Sequence, residues 1–150
     1  MSPIRIGAKA VILKDDHVLL IKYQDRRDGH YNFPGGGIKR GESIRKGLRR
    51  EVVEETSLDV KVERLLMVGE YDPKKHKRRF GRLHKLTLFF LCTPKNGSEP
   101  TLPEKPDPNQ IGIEWFPLEA LPETLLPQYH DLILAAIADD SPRTLFTTRK

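Results

Sequence analysis

Residues 35–58 limit what this chain can become more than any other stretch. Pro34 is followed by Gly35, Gly36 and Gly37, a turn at which backbone can approach a ligand closely. The spacing predicts a helix from about Ser43 to Thr56, because Ile44, Leu48 and Val52 recur every four residues along one apolar face. The end of that helix carries Arg50, Glu51, Glu54 and Glu55. At about 100° per residue, Glu54 falls near 300° and Glu55 near 40° from Glu51, so the three acids share roughly 100° of arc. Leu48 and Val52 then lie near 60° and 100°, which sets the acids on the border of the apolar stripe. Ionised carboxylates crowded beside a buried face repel one another and lose hydration. They need bound cations or raised pKa values. Magnesium and manganese are hard ions that suit clustered carboxylate oxygens and also bind phosphates. Arg50 can pair with Glu54, four residues on, or hold one of the acids in a fixed rotamer. Taken alone, the helix also reads as a solvated one whose acids balance Lys46, Arg49 and Arg50.

The rest of the chain supplies strands around this element. Ile4–Leu13 and Val18–Tyr23 flank an Asp15-Asp16 turn and read as a hairpin. A loop follows over Gln24–Gly29, and Tyr31–Phe33 is a short strand. Leu58–Tyr71 and the apolar run Leu86–Cys92 are strands separated by a basic segment, Asp72–Lys85. Five prolines keep Thr93–Pro108 out of any sheet. Ile111–Phe116 is a last strand and Gln128–Ala138 a last helix, and 141–150 is expected to fray. Strands interrupted by one central and one terminal helix predict an α/β fold with a mixed sheet covered on both faces. No shift in composition marks a boundary, so residues 1–150 read as one domain, a length that buries a core without disulfides or structural metal.

Several classes are excluded. No apolar run approaches the ~20 residues of a membrane helix. Met1–Ile6 is too short and polar for the apolar part of a cleavable signal. The single cysteine, Cys92, forbids an internal disulfide and a Cys-rich zinc site, and a reducing cytoplasm is the expected compartment. Lying in an apolar run, it reads as a small buried hydrophobe. The five histidines are scattered and read as surface or core-edge residues.

Gly36, Glu42, Arg50, Glu51, Glu54 and Glu55, with Val52 and Leu58 at apolar places, resemble the Nudix box. That motif is a glycine, five residues, a glutamate, seven residues, then Arg-Glu-apolar-x-Glu-Glu-x-Gly-apolar. Tyr31–Gly35 resembles the aromatic-x-apolar-Pro-Gly lead-in of the family, and Trp115–Leu118 its late strand and turn. Two positions depart: Ser57 replaces the usual glycine at the turn leaving the helix, and Lys39 stands where many members have glutamate.

The resemblance implies a Nudix-type α/β/α sandwich. It also implies metal-dependent hydrolysis of the pyrophosphate bond in a nucleoside diphosphate linked to another group. Nucleoside triphosphates, ordinary or modified, are the first expectation, with ADP-ribose or a nucleotide sugar second. It assigns Glu51, Glu54 and Glu55 to Mg²⁺ (or Mn²⁺), with a backbone carbonyl from Gly35. Glu54 is the first choice for activating water, with Glu51 and Arg50 assisting. In part of the family the base lies on a later loop, where Glu99, Glu104, Asp107 and Glu114 are available and Asp107 is favoured. Gly36 and Glu42 serve the motif's structure. Lys39, Arg78, Arg79 and Tyr31 are candidates for substrate contact. A monomer or homodimer working on a small nucleotide, without membrane, is expected. A non-catalytic nucleotide sensor on the same fold, or an RNA-binding module, is the alternative.

The formal charge of +5 is unevenly placed. Asp72–Lys85 holds seven basic residues against one acid, a net of +6, which leaves −1 for the remainder. That segment suits phosphate oxygens, a polynucleotide with Tyr71 or Phe80 stacking on a base, or plain solvation.

Overall fold

Residues 5–24 fold as the expected hairpin, with β1 (Arg5–Lys14) and β2 (His17–Gln24) joined through Leu13↔Val18. The turn bends because Asp15 and Asp16 both adopt left-handed backbone, at φ 50° and 58°. A computed structural model describes residues 3–26, 28–75, 81–125, 127–139 and 143–145, with backbone alone at 127–129 and 143–145.

The order continues with β3 (Gly29–Asn32), β4 (Gly35–Gly37), α1 (Ile44–Thr56), β5 (Val60–Tyr71), β6 (Lys85–Pro94), β7 (Gln110–Pro117), α2 (Pro127–Ala138) and β8 (Arg143–Leu145). β1 runs parallel to β6 and antiparallel to β4 on its other side. β5 pairs antiparallel with β6 and parallel with β8. β3, β2 and β7 form a second antiparallel group. The sheet is therefore mixed.

Two cores fill its two faces, as alternation of side chains along each strand requires. Ala8, Ala10 and Ile12 of β1 pack with Leu48 and Val52 of α1, together with Leu58, Val60 and Cys92. Val11, Phe89 and Met67 point the other way and meet Phe33, Leu125, Ile133 and Ala136. α1 thus covers one face and α2 the other, the α/β/α sandwich expected. Cys92 is fully buried, and burial pushes its thiol up to about 12. Trp115 is also core material, packed against the α1 side.

Three expectations need correction. Gly35–Gly37 is not a free turn but a strand, paired with Gly7–Lys9, because glycines let it lie flat against β1. Pro94 closes β6 instead of opening the loop; it is the last residue of the strand, opposite Val60, where a missing N–H is tolerated. Within the tail, Arg143–Leu145 pairs with Met67–Gly69 of β5 instead of fraying, while 141–142 and 146–150 lie outside the described residues. No helix among the described residues is long and apolar enough to cross a membrane.

α1 begins where Ser43 accepts a bond from the Lys46 N–H at 3.3 Å. It ends where Ser57 takes left-handed backbone, φ 61° and ψ 8°, and its N–H bonds to Val53 O at 2.9 Å. A serine there carries a Cβ strain that glycine lacks. Ser57→Gly is expected to stabilise the fold by about 1 kcal/mol, less whatever the 3.4 Å Ser57 Oγ–Thr101 O bond contributes. Urea denaturation checks this: an unchanged or lower midpoint would show that the hydroxyl outweighs the strain.

Candidate functional site

The acid-bearing end of α1 meets the edge strand β4. Gly35 has φ 142°, and a Cβ there would lie 2.1 Å from Ala8 O, so only glycine fits. Its N–H donates to Glu55 Oε2 at 3.0 Å. A Cβ on Gly36 would lie 2.7 Å from the Glu51 carboxyl carbon; the bare glycine leaves room for that carboxylate. The resemblance grouped Glu51, Glu54 and Glu55, but their surroundings differ. Glu55 is 5% exposed, Glu51 is half-buried, and the Glu54 side chain is 56% exposed.

Arg50 binds these parts together. Its Nη2 and Nε donate to the two oxygens of Glu42 at 2.7 and 3.1 Å, a bidentate pair. Nη1 donates to Glu51 Oε1 at 2.8 Å and lies 3.6 Å from Glu54 Oε1, and Nη2 also reaches Gly37 O at 3.2 Å. Glu42 accepts the Lys39 N–H at 2.7 Å. The Arg50 guanidinium, and then that N–H, hold the Glu42 carboxyl at about 2. Glu42 is thus the anchor of the 37–42 loop, and Ser43, not Glu42, caps the helix.

Burial, the largest influence, pushes the Glu55 carboxyl up to about 7. The Gly35 N–H and the Lys9 charge oppose that rise, while Glu51 and Asp107 add to it. The charge of Asp107 is thus felt at Glu55. Of the other acids expected on that loop, Glu99 pairs with Lys14 and Glu104 is exposed, while Glu114 lies instead on β7 and accepts from the Tyr31 hydroxyl at 3.0 Å. Tyr31 also sets its ring edge-on to Phe116.

Three neighbours were not assigned to the acid site by sequence reasoning. Lys9 Nζ donates to Phe33 O at 3.2 Å and reaches Gly35 O at 3.5 Å. Its burial lowers its pKa, against the pull of Glu55. The one sequence signal for it is a cation inside the apolar alternation of β1. Tyr23, read from sequence only as a base stacker or core aromatic, has its hydroxyl pKa raised first by burial and then by Glu55 and Asp107. Gln110 is 4% exposed and its Nε2 donates to Glu55 O at 3.0 Å. Its Oε1 is buried without a partner among the described residues. Nothing in the sequence marks it. Lys39 sits on the exposed loop after β4, while Arg78 and Arg79, like Phe80, lie outside the described residues. Tyr71 donates its hydroxyl to Gly81 O at 2.9 Å.

Carboxylates and the Gly35 carbonyl are oxygen donors, the chemistry a hard divalent ion takes, and the buried Gln110 Oε1 is a further oxygen with no partner among the described residues. Among the described residues no three acids close on one point, since Arg50 draws Glu51 and Glu54 toward itself.

The raised Glu55 carboxyl makes stability depend on pH. A carboxyl that binds its proton more tightly folded than unfolded stabilises the fold below its ordinary range near 4.5, and that contribution disappears as pH rises through about 7. Metal-free protein is expected to lose about 3 kcal/mol over that window. Urea titrations with chelator check this, and a Glu55→Gln variant that keeps the full pH dependence would assign it to another group.

The NUDIX domain family model matches residues 3–137. An NAD-capped RNA hydrolase NudC from Photorhabdus laumondii is 28% identical over 85% of this chain and 44% of its own length. The human 8-oxo-dGDP phosphatase NUDT18 is 33% identical over 83% of this chain and 35% of its own. The chain thus spans less than half of either relative. A crystal structure of an ADP-ribose pyrophosphatase from Streptococcus suis superposes with a TM-score of 0.67 at 25% identity, covering 96% of this chain and 99% of that one. The family model covers both the glycine edge strand and the acidic helix, and the chain belongs to the NUDIX family.

Proposed function

We propose that this chain hydrolyses the pyrophosphate bond of a nucleoside diphosphate linked to another group, with nucleoside triphosphates as first substrates. The observation that carries this reading is the buried Glu55 carboxylate beside a glycine edge, with Glu51 and Asp107 adding negative charge around it. A protein gains nothing in stability from that crowding. It becomes useful when a cation must be held against phosphate oxygens. The ligands in the names of the similar proteins, an NAD cap, 8-oxo-dGDP and ADP-ribose, each contain a diphosphate.

Glu51, Glu54, Glu55 and the Gly35 carbonyl would hold Mg²⁺, with Mn²⁺ a substitute. Such an ion, when bound, neutralises phosphate charge and lowers the pKa of a water ligand. The other work falls to the chain. Glu54, the most exposed of the three helix acids, accepts the proton of the attacking water. Arg50 orients Glu51 and Glu54 from its fixed seat on Glu42. Asp107 is the second candidate for the base, from across the site. Gly35 and Gly36 let phosphate approach the backbone without a Cβ in the way. Lys39, Arg78 and Arg79 serve the anionic ends of the substrate.

The test is turnover of a nucleotide panel with magnesium. At least one member is expected to be cleaved, with activity lost in chelator and regained with excess magnesium; a folded protein that cleaves none would overturn the reading. Glu54→Gln is expected to lower kcat about 100-fold or more, the range for removing a positioned base. A small effect there with a large one in Asp107→Asn would move the base to the loop.

A further inference from the structure

The face of the sheet opposite α1 carries a second cluster of charge, of the other sign. β1 and β6 run parallel in the register Arg5↔Lys85 and Gly7↔Thr87, and β4 adds Gly37 beside Gly7. Alternation puts Arg5, Gly7 and Lys9 on one face with Lys85 and Thr87, whereas Ala8 points to α1 and Glu51 covers Gly36 on that side. A cleft of about 250 Å³ opens there, lined among others by Arg5, Gly7, Lys9, Gly37, Lys85 and Thr87. The Arg5 guanidinium reaches across the bare Gly37: a Cβ on that glycine would lie 4.0 Å from Arg5 Nη2. A Cβ on Gly7 would lie 3.4 Å from Gly36 O and 3.9 Å from Thr87 Oγ1, so the bare glycine keeps the cleft floor low beside that hydroxyl.

Among the described residues, three cations line this cleft and no acid does. Arg5 and Lys85 face each other across neighbouring strands, a like-charge placement that opposes pairing. Among the described residues neither is in an ion pair, and the Thr87 hydroxyl makes no hydrogen bond. A planar guanidinium, an ammonium and a hydroxyl converging on one floor match a tetrahedral oxyanion with several acceptor oxygens. The cleft is separated from the acid site only by the glycines of β4, which have no side chains to keep a ligand from crossing that edge.

We propose that Arg5, Lys85 and Thr87 form an anion subsite that takes a further phosphate group of the substrate, beyond the diphosphate that is cleaved. The proposal rests on the hydrolase reading of the acid site and narrows its substrates to those with an extra phosphate. That phosphate is either the end of a triphosphate chain or a monoester elsewhere on the nucleoside.

Two measurements on the whole chain test it. The first is calorimetric titration with inorganic tripolyphosphate in chelator, which reads the subsite without metal or turnover. Arg5→Gln/Lys85→Gln is expected to weaken binding at least tenfold and to flatten its salt dependence, and Thr87→Val to weaken it less. The second is kcat/KM for a nucleoside triphosphate, the matching diphosphate, and that diphosphate with a 3′-phosphate. In the double variant, the preference of one phosphate-rich substrate over the plain diphosphate is expected to fall at least tenfold, mostly through KM. The substrate that loses it identifies the source of the phosphate. Lys85→Gln alone, at an exposed position, replaces the double variant should that one not fold. Unchanged tripolyphosphate binding, or equal losses on all three substrates, would overturn the subsite. If the wild type cleaves none of the three, the hydrolase reading fails, while the tripolyphosphate titration still decides the subsite.

Discussion

The hydrogen bond from the Gly35 N–H to the buried Glu55 carboxylate joins the two parts on which everything else here depends. It fastens the last turn of α1 to the edge strand β4. Without it the carboxylate would be buried with no backbone donor, a costly state for a charged group. The bond also explains the local sequence. Gly35 must be glycine to bring its N–H there, and Gly36 must be small to admit Glu51 beside it. Arg50 and Glu42 then tie the connecting loop to the helix, so strand, loop and helix are linked through side-chain bonds.

What could be read in advance follows from where the information lies. The helix and its acids were legible because period and spacing are local properties of α1. Ser57 was legible as a left-handed position because a helix exit needs one. The different fates of the three acids were not, since burial depends on what packs over them. Glu55 is covered by β4 and by the start of β7, more than fifty residues away, through the Gln110–Glu55 bond. Lys9 and Gln110 were missed for the same reason: each reaches the site through long-range pairing that no local pattern encodes. The glycine run was misread because glycine marks turns more often than edge strands. Only the pairing with β1 distinguishes the two.

Charge is separated across the sheet in a way the total of +5 conceals. Acids crowd the α1 side of the glycine edge, and Arg5, Lys9 and Lys85 occupy the other. Lys9 belongs to both, since it feels Glu55 and Lys85 at once. The basic 72–85 segment joins β5 to β6 and so ends at Lys85, on the rim of the cleft. A charge excess that looked like one loop continues onto the sheet.

The short strand β8 has a consequence beyond the site. β5 is 12 residues long, and without β8 its outer edge would offer a row of unpaired backbone groups to another chain. β8 covers Met67–Gly69, and register irregularities between Val62 and Met67 twist the stretch just before it. Arg64, inside that irregular stretch, extends its guanidinium to Ile137 O at 3.0 Å. Short cover, bulges and an edge cation are the devices by which sheet proteins resist edge-to-edge aggregation. Arg143–Leu145 therefore shield that edge, and removing them would open Met67–Gly69 of β5 to pairing with another chain.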